Sequence, residues 1–393
     1  MDKRKLTTYG LLSGVLILAA WAASAMPRAR GNHLVSDDGT AHADNHTPTK
    51  LTIPQKPPRV ELVFALDTTG SMSGLIDGAK RKIWSIAQFI AQGQPKPDVR
   101  IGLVAYRDIG DAYVTRFYDL SDDLDTVFEH LSSFEAAGGG DTPEHVSKAL
   151  YDAVYKTSWT ADQSALKQVY LVGDAPPHTD YSDGYDYKKI AKHANELGIH
   201  INTIRCGADP ETAMVWNQIS NAAAGEFASI DQSGGVRIAA TPFDGEMQKL
   251  NAALVGTAIG YGTGRGEVAR KVATATAMPA STAADRAGYF GSKGGAVGGG
   301  GDLVDDVVNG KVKIADVKRD ALDGPMGAMD ETKREAFVKE KVVERNKIQE
   351  EINTVAKHRS EWLKKNAKDK PDSFDAQVEG ALKKQAKSIG LAL

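Results

Sequence analysis

Val60-Glu61-Leu62-Val63-Phe64-Ala65-Leu66-Asp67-Thr68-Thr69-Gly70-Ser71-Met72 is the stretch that decides the fold. Its first part, 60–66, is an apolar run of the kind shown by a strand buried on both faces of a parallel sheet. The run ends on Asp67, and Thr69 and Ser71 follow at spacings of two. One carboxylate and two hydroxyls thus leave the strand on a single turn, which Gly70 makes easy to close. Helical spacing begins at once. Leu75, Ile76, Ala79, Ile83, Ile86, Ala87 and Ile90 lay an apolar stripe along a helix over 75–92.

The pattern repeats outward. Strands are expected at 99–106, 169–172, 199–204 and 226–230, with an alternating edge strand at 113–118. Helices are expected at 124–134, 146–155, 187–197, 211–223 and 243–259. Strands alternating with helices indicate a doubly wound α/β fold, a mostly parallel sheet with helices on both faces. Such sheets bind ligands at the carboxyl ends of their strands, near the point where strand order reverses. Asp67 and Asp174, the latter closing Val169-Tyr170-Leu171-Val172-Gly173-Asp174, both follow apolar strands. If those strands are parallel, the two carboxylates share one rim. Thr142, in Gly138-Gly139-Gly140-Asp141-Thr142-Pro143-Glu144, is the third piece that can reach it.

Compact oxygens of this kind suit a hard divalent cation, Mg²⁺ first, with Mn²⁺ or Ca²⁺ as alternatives. Two carboxylates and neutral hydroxyls leave such an ion with an open coordination position, able to take an outside carboxylate as its last ligand. The expected activity is capture of a protein that presents Asp or Glu. The bland reading makes Thr69 and Ser71 turn or cap residues, with Ser71 or Ser73 capping the helix that follows. Asp141 is expected to orient its loop. His145 and His178 lie near the rim without metal-ligand spacing and are expected to be hydrogen-bonded or exposed. Asp180, Asp183 and Asp186 read as a solvated loop, without the spacing of a calcium loop.

Asp-x-Thr-x-Ser, Gly-Gly-x-Asp-Thr and an apolar run ending in Gly-Asp together resemble the metal-ion-dependent adhesion site of the von Willebrand factor type A (VWA) domain. The likeness in local order runs from about 60 to 259. The segment Gly173-Asp174-Ala175-Pro176-Pro177-His178 resembles a subgroup of bacterial and alpha-kinase-associated members. The resemblance implies a Rossmann-like sheet, a Mg²⁺-mediated protein ligand and no catalytic activity. It assigns Asp67, Thr69 and Ser71 to the first motif, Thr142 to the second and Asp174 to the third. The family usually has Ser where this chain has Thr69; the hydroxyl is kept. Two rivals remain. Asp67-Thr68-Thr69-Gly70-Ser71 also resembles the phosphorylation signature of ion-pumping ATPases and of phosphoaspartate phosphohydrolases, with Asp67 as nucleophile. That chemistry needs a second Asp where Thr69 stands, or a Lys in place of Thr68. The other rival is a structural envelope protein with a vestigial site.

The remaining features concern location and organisation. The 393 residues carry 48 basic and 51 acidic side chains, so no global positive field attracts nucleic acid. Lys3, Arg4 and Lys5, an apolar stretch over 11–25 and Ala23-Ser24-Ala25 read as an export signal at 1–25. An uncleaved membrane anchor is the alternative. The expected destination is the periplasm or the cell surface, with a possible envelope association. The single cysteine, Cys206, forms no intrachain disulfide and reads as a small packed hydrophobe. A polar tether is expected at 26–58, the VWA domain at 59–260, and a flexible Gly/Ala-rich linker at 261–310. A charged helical region is expected at 311–393, with amphipathic helices at 331–365 and 374–389. The first of these helices is expected to pack on the second, or to serve docking and self-association.

Overall fold

The strand quoted above is β1 (Arg59–Asp67), and every residue from Val60 onward is buried. The structure, a computed structural model, describes residues 56–140, 142–235, 240–322, 324–366 and 373–393. The expected signal, all but the last residues of the tether, and Asp141 lie outside the described residues. β1 is burial-saturated because it sits in mid-sheet. It pairs in parallel with β2 (Asp98–Tyr106) on one side and β4 (Leu166–Gly173) on the other. The sheet of six runs β3-β2-β1-β4-β5-β6, with β3 (Thr115–Ser121) antiparallel at one edge. β5 (Ile199–Cys206) and β6 (Phe227–Ile230) continue it in parallel on the other side.

Alternate residues of β1 point to opposite faces. Val60, Leu62, Phe64 and Leu66 enter one core and Val63 and Ala65 the other. The second core is covered by α3 (Val146–Tyr151), α4 (Tyr187–Glu196) and α5 (Pro210–Ala222), with Trp216 fully buried. The first is covered by α1 (Ser73–Ala91) and α2 (Leu124–Ser132), then by helices later in the chain. The fold is therefore a doubly wound α/β sheet with helices on both faces. Strand order reverses between β1 and β4, so the carboxyl ends of those two strands open onto one crevice.

Several boundaries differ from the sequence expectation: β3 is Thr115–Ser121 rather than 113–118, α6 is Asp244–Val255 rather than 243–259, and two further differences stand out. β4 begins at Leu166 rather than 169, because its polar start is buried: Tyr170 Oη donates to Gln168 Oε1 at 2.7 Å. α3 ends at Tyr151 and continues as a π-helical turn, Asp152–Lys156.

The chain beyond α6 (Asp244–Val255) holds α7 (Arg265–Ala277), α8 (Ala280–Lys293), α9 (Leu303–Val308), the short α10 (Pro325–Ala328), α11 (Glu331–Asn366) and α12 (Phe374–Ala386). Residues 261–310, expected as a linker, thus contain helices, and their glycine run lies against α2. Gly298 N–H donates to Asp125 Oδ2 at 2.9 Å, and Lys271 Nζ donates to Gly298 O at 3.0 Å. A Cβ on Gly298 would sit 2.4 Å from Asp123 Oδ1, so the glycine is what lets the segment approach. Ala296 and Val297 are buried. α11 packs on α6, α8 and α9, burying Val338, Ile348, Ile352 and Val355. Its Arg359 reaches Asp244 and Asp285, each at 2.7 Å.

The last helix returns to the sheet. Phe374, Val378, Ala381, Leu382 and Ala386 of α12 enter the first core beside α1. Phe374 packs at 6.1 Å from the Phe64 ring of β1. A polar seam accompanies it: Gln168 donates to Gln385, Gln385 Nε2 donates to Asn202 Oδ1 at 2.9 Å, and Tyr170 Oη donates to Val378 O at 3.2 Å. No described helix is long and apolar enough to cross a membrane.

Candidate metal centre

Asp67 is the last residue of β1 and is fully buried at the crevice. Its Oδ1 accepts from Thr69 N at 2.9 Å and from Thr69 Oγ1 at 2.7 Å. Its Oδ2 has no hydrogen-bond partner. Thr69 Oγ1 lies 3.4 Å from Ser71 Oγ, so the two hydroxyls and the carboxylate form one short row. The turn is fixed from outside. Thr68 N and Oγ1 both donate to Tyr106 O at 2.9 Å, Gly70 N donates to Gly138 O at 3.2 Å, and Arg107 Nε donates to Thr68 O at 3.0 Å. A 3₁₀ turn, Gly70–Met72, leads into α1. The residue preceding α1 is Met72, and no side chain caps it, so neither Ser71 nor Ser73 is used as a cap.

Asp174 follows β4 directly. Leu66 pairs with Val172, which sets Asp67 beside Gly173 and Asp174. The approach is close: a Cβ on Gly173 would lie 2.3 Å from Tyr106 Oη and 3.0 Å from Asp67 Oδ2. Only a glycine allows β4 to deliver Asp174 here. Asp174 Oδ2 accepts from Gln232 Nε2, and its carbonyl accepts from Thr212 Oγ1 at 3.2 Å. Burial pushes the Asp67 carboxyl up to about 7; the Asp174 charge adds to the rise, and the Thr69 hydrogen bonds oppose it.

Thr142 is exposed and makes no hydrogen bond among the described residues. Its loop nevertheless reaches the crevice. A Cβ on Gly139 would meet Thr69 Cβ at 3.1 Å. The structure thus gathers Asp67, Thr69, Ser71 and Asp174, and through Gly139 it brings the loop that carries Thr142 up against Thr69.

Glu144 is the residue that sequence reading passed over. It is only 3% exposed, and its Oε2 has no hydrogen-bond partner. Burial pushes its carboxyl up to about 9, aided by the charges of Asp67, Asp108, Asp111 and Asp174. A loop glutamate ordinarily reads as solvated. The burial comes from pairing across loops, which no local spacing reveals. The histidines are hydrogen-bonded, as expected. His145 Nδ1 accepts from Lys148 N at 3.4 Å, and its Nε2 lies 2.7 Å from Asp183. His178 Nδ1 lies 2.8 Å from Asp180 Oδ1.

The donor set fits a hard divalent ion: carboxylate and hydroxyl oxygens in a row, one carboxylate oxygen buried and unpartnered. Asp67, Thr69, Ser71 and Asp174 would hold it. The ion would supply the positive charge that the buried Asp67 lacks.

A model of the von Willebrand factor A domain matches residues 61–241, and the chain carries a domain of that family over this stretch. The von Willebrand factor A domain-containing protein 7 of Rattus norvegicus is 34% identical over 120 residues, 30% of this chain and 12% of the relative. The human protein of the same description is 32% identical over 120 residues, with the same coverage. This chain therefore spans only about an eighth of the length of these curated relatives, 12%. Among solved structures, the conserved hypothetical protein BatB from Bacteroides thetaiotaomicron is 17% identical. It covers 44% of this chain and 90% of its own, at a TM-score of 0.34. Domains of this family are mostly protein-interaction modules without catalytic activity of their own, and they often hold a divalent metal.

Proposed function

We propose that this chain binds a partner protein through a divalent ion, Mg²⁺ first, held by Asp67, Thr69, Ser71 and Asp174 with the Thr142 loop closing the site. The partner's Asp or Glu completes the coordination, and the role is adhesion or complex assembly. The observation that carries the reading is Asp67 Oδ2, a fully buried carboxylate oxygen without a partner at the crevice where strand order reverses. Buried charge is kept in a fold where something pairs it, and a cation is the missing pair. The Lys- and Arg-containing segment at the start of the chain supports export, with action in the periplasm or at the cell surface.

The test starts with the metal alone. Isothermal titration of the full chain with Mg²⁺ and with Mn²⁺ is expected to give one site, absent in Asp67→Ala. Affinity capture with wild type in Mg²⁺, against wild type in EDTA and Asp67→Ala in Mg²⁺, then identifies what the ion holds. Equal capture in all three arms would favour a scaffold with a vestigial site, and turnover of an aryl phosphate would favour the phosphohydrolase.

A further inference from the structure

We propose that the cleft between the glycine segment, α9 and α11 is a binding site for a carboxylate carried on an apolar group. It shares no residue with the metal centre and stands independently of it. Its volume is about 400 Å³, within the range of small-molecule sites. α8 supplies Tyr289, Phe290 and Lys293, α9 supplies Val304, and α11 supplies Val342 and Gln349. The glycine segment forms one wall, and its two kinds of backbone group fare differently. The carbonyls are used by the protein: Gln349 Nε2 donates to Gly295 O at 2.9 Å, Arg286 Nη2 to Ala296 O at 2.9 Å and Lys271 Nζ to Gly298 O at 3.0 Å. The N–H groups of Gly295, Val297 and Gly299, three residues that line the cleft, donate to no group among the described residues. Spare donors beside occupied acceptors make a wall that suits an anion. φ is +81° at Gly295 and +73° at Gly299, a course that glycine takes without strain.

A buried side chain points the same way. Tyr289 is 2% exposed and lines the cleft, yet it makes no hydrogen bond among the described residues. A buried phenol ordinarily finds a partner. Burial, with the charges of nearby aspartates, pushes its hydroxyl above the ordinary tyrosine value, so it stays protonated and able to donate. Two loosely held cations also line the cleft. Lys293 lies 3.4 Å from Asp98, which Arg59 already holds at 2.8 Å, and Lys311 lies 3.4 Å from Asp306. Of the acids at the cleft, Asp305 is paired with Arg345 at 2.5 Å and Asp122 is exposed. Phe290, Val297 and Val304 are buried there, and Val308 beside them is 59% exposed, so the body of the ligand is apolar. A free branched acid and the carboxyl end of a peptide present this same chemistry.

The test is calorimetric titration of the metal-stripped full chain, so that the metal centre takes no part. The probes are isocaproate for a free acid and N-acetylglycyl-leucine for a peptide terminus, each against its amide. At least one acid is expected to bind at a single site, with its amide weaker by about tenfold or more. Tyr289→Phe, which keeps the ring and removes no hydrogen bond of the free protein, is expected to weaken the acid by about tenfold. Val308→Trp, a change at an exposed position that fills the mouth, should weaken it as much. The acid that binds more tightly identifies the source. Absence of binding by both acids, equal binding of acid and amide, or wild-type affinity in either variant would overturn the proposal and leave the metal-dependent reading standing.

Discussion

Asp152 shows how charge is satisfied away from the crevice. It is fully buried in the π-helical turn after α3, with Lys148 and Lys156 against Oδ1 and Thr115 Oγ1 donating to Oδ2 at 2.7 Å. Burial alone would raise its carboxyl, but hydrogen bonds from Lys148, Lys156 and Thr115 outweigh it and hold the group below the ordinary value. A depressed carboxylate stabilises the fold fully above its unfolded value and loses that contribution as pH falls through the folded one. Asp152→Asn should therefore cost about 1–3 kcal/mol at pH 7, and its stability should fall less than wild type below pH 4. Urea unfolding at both pH values reads the difference. The contrast with Glu144 explains what was legible. Asp67, Thr69 and Ser71 are neighbours in the chain, so their shared turn can be read directly. Asp174 was placed by the apolar run before it. Glu144 sits in a loop whose burial depends on Pro176 and His178, more than thirty positions away.

Among the elements, β1 announced itself because a run buried on both faces admits few alternatives. The periodic helices α1, α4 and α5 were legible for the same reason. The start of β4 was not, since Gln168 is polar in sequence and becomes interior only when Gln385 of α12 meets it. That pairing identifies α12 as the cover of the sheet beside α1, supplied from the far end of the chain. Leu382, fully buried there, should cost about 2–5 kcal/mol when changed to Ala, measured by urea denaturation. A surface helix with a spare apolar face would lose almost nothing. α12 also touches the site at second hand: Phe374 N donates to Gly234 O at 3.1 Å, two residues beyond the Gln232 that bonds Asp174.

Taken as a molecule, the described residues belong to one compact unit spanning 55–393. Sequence composition suggested a VWA domain at 59–260, a flexible Gly/Ala-rich linker at 261–310 and a charged helical region at 311–393, because glycine runs ordinarily signal mobility. What opposes that here is buried charge. Arg286 of α8 is fully buried and binds Asp125 of α2 through Nε and Nη2, each at 2.8 Å, while also donating to Asn251 Oδ1 and Ala296 O at 2.9 Å. One side chain thus joins α2 and α6 to the glycine segment. Removing one partner of such a pair strands the other charge, at a cost of about 3–5 kcal/mol. Arg286→Met should lose that much, and adding Asp125→Leu should recover a large part of it, since an apolar pair of similar volume avoids the desolvation. The same physics fixes the outcome for the isolated segment. A protein truncated to 59–260 leaves Asp125 unpaired and the face of β1 and β4 without α12, so it should unfold at lower urea than residues 56–393. The longer chain should unfold in one transition seen equally by Trp84 in α1 and Trp362 in α11. Two separated transitions, or equal stability of the short form, would mean that the C-terminal helices ride on a domain that does not need them.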